Sequence, residues 1–245
     1  MKKLLLGNEA IARGAYEAGV RVSSAYPGTP STEINENVAT YPEIYSEWTP
    51  NEKVAVEVAL GAAVSGARSL ACMKHVGLNV AADPFFTATY TGVNAGMVVV
   101  VADDPGMHSS QNEQDTRMLA RASHAPVLDP SNSQECKDFL KLAYEISEKY
   151  DTPVILRVTT RIAHARTLVE LDERVEVPLR EYKRDIKKYV SMPANMIARH
   201  LYVEEREKKL AEDANTLPIN RIEWADRKIG VITSGAAYNL SLIHI

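Results

Sequence analysis

Cysteine is scarce in this 245-residue sequence: only Cys72 and Cys136 occur, far apart and without a CxxC pair. That excludes a disulfide scaffold, a zinc knuckle and an iron–sulfur ligand set on this chain, and a reducing compartment fits best. Long apolar runs are missing as well. The opening MKKLLLG gives way to Gly7, Asn8 and Glu9 well short of a signal peptide's hydrophobic region, so the expected location is cytoplasmic. The longest apolar run, Met97 to Ala102, is about a third of the ~20 residues a membrane span needs, and no membrane association is expected. Charge of one sign is not in excess, since the net charge is -4 with both signs mixed. No basic field exists to hold phosphate backbones, and no nucleic-acid partner is expected. GxSxG, GxxxxGK[ST] and GxGxxG are all absent, which removes the best support for hydrolase, nucleotide triphosphatase and dinucleotide-binding readings.

What is present is a 45% hydrophobic chain, enough for a real core, in which helical and strand-like segments alternate over residues 1–160. That alternation predicts an α/β fold, a doubly wound, mainly parallel sheet. The expected helices are Glu9–Glu17, opening on Asn8 as N-cap, Asn51–Ser65, and Gln134–Lys149, opening on Asn132 or Ser133. The expected strands are Val20–Ala25, Ser69–Met73, Met97–Ala102, Val127–Leu128 and Val154–Thr160. The continuous β-branched run at Met97 marks a central strand covered on both faces. Residues 161–227 turn to mixed charge and read as a connector with one exposed helix, Ala194–Asp213. Residues 228–245 read as the cut-off start of a second α/β domain, with a strand at Ile229–Thr233.

Ligands of open parallel sheets bind beyond the carboxyl ends of the strands, so the segments after each strand are the candidates. In Tyr26-Pro27-Gly28-Thr29-Pro30-Ser31-Thr32, two prolines stiffen a loop that offers Thr29 to a substrate, with Ser31 or Thr32 capping the next helix. A plain strand-to-helix turn explains it too. Asn51-Glu52 starts an apolar helix, where a carboxylate also serves ordinary capping and dipole chemistry. Glu57 is a second buried-carboxylate candidate, or a solvent-facing one. Lys74 to Asn79 follows a strand and carries His75, an imidazole able to bond a substrate carboxylate or carbonyl, or merely a loop neighbour. Asp103 to Asp115 is too dense in polar groups for a simple turn. Its Asp103, Asp104 and His108 match neither zinc nor calcium spacing, so no metal site is expected.

At these motifs the sequence resembles a known family. GNEAIARGAYEAGV, AYPGTPSTEI, NEKVAVEVALGAAVSGAR, MKHVGLNVAADP and VVVVADDPGMHSSQNEQD are similar to alpha subunits of indolepyruvate ferredoxin oxidoreductases, and KIGVITSGAAYN is similar to the opening of their next, transketolase-like domain. The resemblance implies that residues 1–160 are a pyrimidine-binding domain for thiamine diphosphate. It implies oxidative decarboxylation of aryl 2-oxoacids to acyl-CoA with ferredoxin as electron acceptor. Mg2+ and [4Fe-4S] clusters are expected in parts of the enzyme absent from this chain, which alone would be inactive. A beta subunit, ferredoxin, coenzyme A and an oligomeric assembly are the implied partners and state. Glu52, with Gly61 and Gly66 at plus nine and plus fourteen, takes the place of the glutamate that bonds N1' of the pyrimidine. Apolar surroundings would raise its pKa and let it share a proton. The resemblance further implies cofactor contacts at His75 and Gly77, and substrate contacts at Thr29, His75, His108 and Gln111. Pyruvate enzymes carry an arginine near Gln111, and this sequence has none there. A catalytically silent subunit, or a module that binds a small metabolite at the Asp103–Asp115 loop, are the rival expectations.

Overall fold

The computed structural model describes residues 1–224 and 228–244. In chain order its elements are β1 (Lys2–Leu6), α1 (Gly7–Glu17), β2 (Val22–Ala25), α2 (Thr32–Val38), β3 (Tyr45–Trp48), α3 (Glu52–Val64), β4 (Ser69–Lys74), α4 (His75–Val80), α5 (Ala82–Thr91), β5 (Met97–Asp103), α6 (Thr116–Ala122), β6 (Val127–Leu128), α7 (Ser133–Tyr150), β7 (Val154–Thr159), α8 (Thr160–His164), β8 (Arg166–Glu170), α9 (Ile186–Tyr189), α10 (Pro193–Ala214) and α11 (Gly235–His244).

Every residue of β5 and of β7 is buried, so neither strand alternates in hydropathy. A fully buried Val contributes about 1.5–3 kcal/mol, and four in succession at Val98–Val101 place β5 at the centre of the sheet. Six strands pair in the order β3-β2-β4-β5-β7-β6, all of them parallel. Two buried clusters cover the two faces. One gathers Ile11, Ile34, Leu140 and Tyr144 against Leu70, Val98, Val100 and Leu156. The other gathers Val56, Leu78 and Phe85 against Met73, Val99, Val101 and Ile155. The doubly wound, parallel expectation holds. From β2 the chain runs outward to β3, then returns to β4 on the opposite side of β2. The crevice between β2 and β4 is therefore the topological switch point, where such sheets bind ligands.

Several local expectations are corrected. Asn8 does not cap α1: Leu6 is the N-cap, and its backbone N–H donates to Glu9 Oε2 at 2.7 Å. Ser31 occupies the N-cap of α2 but makes no cap bond; its hydroxyl donates to the Gly28 carbonyl instead. Asn132 does cap α7, accepting from Glu135 N–H. Lys74–Asn79 is no loop, because His75 opens α4 at the end of β4. Ile229–Thr233 is not a strand: Ile229 and Ile232 are exposed, and no neighbouring strand among the described residues offers a ladder to pair with.

Residues 161–181 are more than a spacer. Strand β8 pairs antiparallel with β1, and the chain beyond it bonds back to the first domain through Val175 N–H on the Glu17 carbonyl and Arg180 N–H on the Gly66 carbonyl. Glu17 and Lys137, both fully buried, meet in an ion pair at 3.2 Å that Lys141 and Asp172 extend. The charged helix α10 forms as expected and is mostly exposed, yet it is anchored by Arg206, which donates to the Thr89 and Asp151 carbonyls. The expected boundary at Arg227 lies outside the described residues.

Candidate active site

Helix α3 forms because its Ala- and Val-rich sequence follows a competent cap: Asn51 Oδ1 accepts from Val54 N–H at 3.0 Å. With Asn51 doing the capping, the neighbouring carboxylate is left free. Among the described residues the Glu52 side chain has no hydrogen bond or ion pair, although it is half-buried. It rests against Gly77 of α4. A Cβ on Gly77 would lie 2.6 Å from Glu52 Oε1 and 2.6 Å from its Cγ, a separation no real side chain tolerates, so glycine is what permits the approach. Glu57 is exposed on α3, which corrects its reading as a buried carboxylate. Gly61 stands in open space, whereas Gly66 has φ +99° and sits against the Arg180 backbone.

His75 is 2% exposed, with Nε2 at 3.0 Å from the Asn112 carbonyl and Nδ1 buried without a partner. A ring nitrogen bonded to a carbonyl oxygen must donate, so in the neutral ring Nδ1 holds the lone pair. His75, Leu78 and Asn79 share one face of α4 at the i, i+3, i+4 spacing and line a cavity of about 270 Å³ against Gln114, Thr116, Met118 and Leu119.

The Tyr26–Thr32 loop leaves β2 beside this helix. Gly28 N–H donates to Thr32 Oγ1 at 2.9 Å, Ser31 N–H donates to the Gly28 carbonyl at 2.8 Å, and the Thr29–Pro30 bond is cis. Thr29 itself is exposed, with its carbonyl 3.4 Å from Ser109 Oγ. Lys74 packs its stem against Gly28 and donates to the Ser109 carbonyl at 3.0 Å. The loops after β2 and β5 thus meet the junction of β4 and α4 on one edge of the sheet.

The polar run after β5 divides sharply. Asp103 is fully buried and consumed by Thr116 N–H at 3.1 Å, Thr116 Oγ1 at 2.5 Å and Arg157 Nε at 2.7 Å. Burial pushes the Asp104 carboxyl upward, but Ser109 N–H and the hydroxyls of Thr160 and Ser110, each at 2.8 Å, outweigh it and hold the group down to about 2. Both aspartates are structural anchors of the loop. His108 and Gln111 lie exposed on it, and among the described residues neither side chain bonds to Thr29, Glu52 or His75. Among the described residues no group of three or more His, Cys, Asp or Glu is placed to hold a metal, and no helix is long and apolar enough to cross a membrane.

A parallel doubly wound sheet, with a free carboxylate set against a glycine at its switch point, is the architecture of a cofactor-binding α/β domain. Residues 13–219 match the family described as "Pyruvate flavodoxin/ferredoxin oxidoreductase, thiamine diP-bdg", and the chain belongs to that family. It is 49% identical over 247 residues to the indolepyruvate oxidoreductase subunit IorA of Pyrococcus horikoshii, across 97% of this chain and 38% of that protein. It is 31% identical over 180 residues to the 2-oxoglutarate synthase subunit KorA of Methanothermobacter thermautotrophicus, across 70% of this chain and 48% of that protein. The chain therefore spans well under half the length of the IorA relatives it matches. A solved 2-oxoglutarate:ferredoxin oxidoreductase from Magnetococcus marinus, with 2-oxoglutarate, coenzyme A and succinyl-CoA bound, superposes with a TM-score of 0.74 over 92% of this chain and 47% of that chain, at 19% identity. That likeness supports the fold.

Proposed function

We propose that this chain is the pyrimidine-binding part of a thiamine-diphosphate-dependent 2-oxoacid:ferredoxin oxidoreductase acting on aryl 2-oxoacids such as indolepyruvate. The observation that carries the reading is the Glu52 carboxylate, without a partner among the described residues and lying where a side chain on Gly77 would otherwise stand. A group that ended α3 merely as a cap or surface charge would not need Gly77 bare. When bound, thiamine diphosphate supplies the nucleophilic carbon and the electron sink for decarboxylation. Glu52 holds a proton at N1' of its pyrimidine, and Gly77 keeps the wall beside that carboxylate flat. Thr29, at the apex of its loop, orients the 2-oxoacid, with His75, His108 and Gln111 as further substrate-side groups. His75 also borders the cofactor.

The aryl preference rests on the relatives at 45–50% identity that bear the indolepyruvate oxidoreductase name. Mg2+ with the diphosphate, and [4Fe-4S] clusters, are assigned to parts of the enzyme beyond this chain. Its partners are a beta subunit, ferredoxin and coenzyme A in an oligomeric, cytoplasmic assembly. Residues 1–160 form the pyrimidine domain, 161–227 a connector that folds back on it, and 228–245 the opening of a further domain, a reading supported by the exposed Ile229, Val231 and Ile232.

The test is 2-oxoacid-dependent reduction of ferredoxin by the complete enzyme with coenzyme A present. Specificity constants are compared for indolepyruvate, phenylpyruvate, pyruvate and 2-oxoglutarate. Absence of any 2-oxoacid-dependent reduction refutes the function. A preference for pyruvate or 2-oxoglutarate refutes the aryl assignment and leaves the reaction class standing.

A further inference from the structure

Asn8 is absorbed neither by helix capping nor by the proposed chemistry. Its side chain is fully buried in the first turn of α1 and reaches out of the helix toward the next strand's loop. Nδ2 donates to the Pro30 carbonyl at 2.8 Å and to Glu33 Oε2 at 3.0 Å, while Oδ1 is buried without a partner. The amide cannot be turned over, since that would aim Oδ1 at two acceptors. An unpartnered buried carbonyl is a cost that an apolar residue would avoid, so the residue's contribution is the pair of bonds it donates.

One of those bonds ends on the Pro30 carbonyl, one residue past Thr29. Among the described residues the loop's remaining hydrogen bonds are internal, Gly28 to Thr32 and Ser31 to Gly28, or come from an exposed neighbour, Ser109. Asn8 is therefore the buried tether that joins the Pro30–Ser31 peptide, one residue past Thr29, to the body of the domain, and through Glu33 it holds the first turn of α2 to the same point. Glu52 lies on a different element, α3, and makes no hydrogen bond or ion pair with these groups among the described residues.

We infer that Asn8 is a positioning residue for the substrate: it sets the place of Thr29 through the Pro30 carbonyl and takes no part in cofactor activation at Glu52. This rests on the reading of Thr29 as a substrate contact. The experiment compares Asn8→Ala, Thr29→Val and the double variant in the complete enzyme, measuring KM for indolepyruvate and exchange of the cofactor's C2 proton in deuterated water. Asn8→Ala should raise KM about tenfold, the size expected for one substrate hydrogen bond, with C2 exchange unchanged. In the Thr29→Val background it should add less than about twofold, because residues acting through one contact are not additive. Asn8→Ser, small and polar, replaces the alanine variant if that does not accumulate folded, with the same pattern at reduced size. Equal loss of C2 exchange and substrate affinity, or full additivity with Thr29→Val, overturns the inference. If Thr29→Val alone leaves KM unchanged, the substrate-contact reading falls and the inference falls with it. If Thr29→Val raises KM while Asn8→Ala does not, only the inference falls.

Discussion

Glu52 and the Asp103–Asp104 pair are carboxylates on the same edge of one sheet, and they differ in how their valence is spent. The two aspartates accept six hydrogen bonds from Thr116, Arg157, Ser109, Ser110 and Thr160, and both are buried away from any ligand. Glu52 accepts none among the described residues, and its neighbour on α4 has been reduced to a hydrogen atom. Polar density therefore marks a loop that must be held, whereas unmet polar capacity beside bare backbone marks a place for something to bind.

The sharpest break of that contrast is Glu52→Gln in the complete enzyme. It preserves size and polarity and removes the proton-sharing carboxylate, so turnover should fall about 100- to 10,000-fold with folding intact. The C2 proton exchange of the bound cofactor should slow in step, and normal exchange in this variant would remove Glu52 from the mechanism. Gly77→Ala comes next. Its methyl would lie 2.6 Å from the carboxylate and must displace it, for an expected loss of about 100-fold in turnover, as an ångström-scale misplacement costs. Retained turnover and exchange would show that the bare glycine is a packing convenience.

Asp104→Asn tests the other side. It should leave cofactor exchange alone and cost roughly 1.5–3 kcal/mol of stability at neutral pH, the worth of a charged hydrogen bond in urea unfolding. Because the folded carboxyl is held from 3.8 down to about 2, its contribution is fully present above about pH 4 and is lost as pH falls through that window. The stability gap between wild type and variant should close there; a gap independent of acid pH would mean that the charge is not what anchors the loop. Smallest is Glu57→Gln, one and a half turns along α3 and exposed, expected within about 0.5 kcal/mol in stability and without effect on exchange. Slowed exchange in this variant would transfer the role from Glu52.

The chain's local chemistry was enough to locate most of the framework. The β-branched run at Met97 and the run at Val154 read as buried parallel strands, and Asn132 announced α7 because its side chain completes an open helix end, whereas the matching cap of Asn51 on α3 emerged only in the fold. Glu52 stood out through its spacing to Gly61 and Gly66 and through family likeness. Its freedom from partners was invisible, since a sequence does not say which donors remain once Asn51 has made the cap. Beyond local pattern, every decision was made by groups distant in sequence. Asn8 looked like a cap and became a tether because Leu6 takes the N-cap position and Pro30 and Glu33, 22 and 25 residues away, accept from its Nδ2. Asp103 and Asp104 belong to a polar run placed where site loops lie and became anchors because Arg157 and Thr160 arrive from β7 and α8. Ile229–Thr233 has the composition of a strand and stays unpaired, because a strand exists only where a neighbour supplies its ladder. Sequence by itself determined which segments could bury their backbone, a matter of periodicity and propensity; tertiary structure alone decided which polar groups were spent and which were left for a ligand, because hydrogen-bond valence is settled only by what comes within about 3 Å.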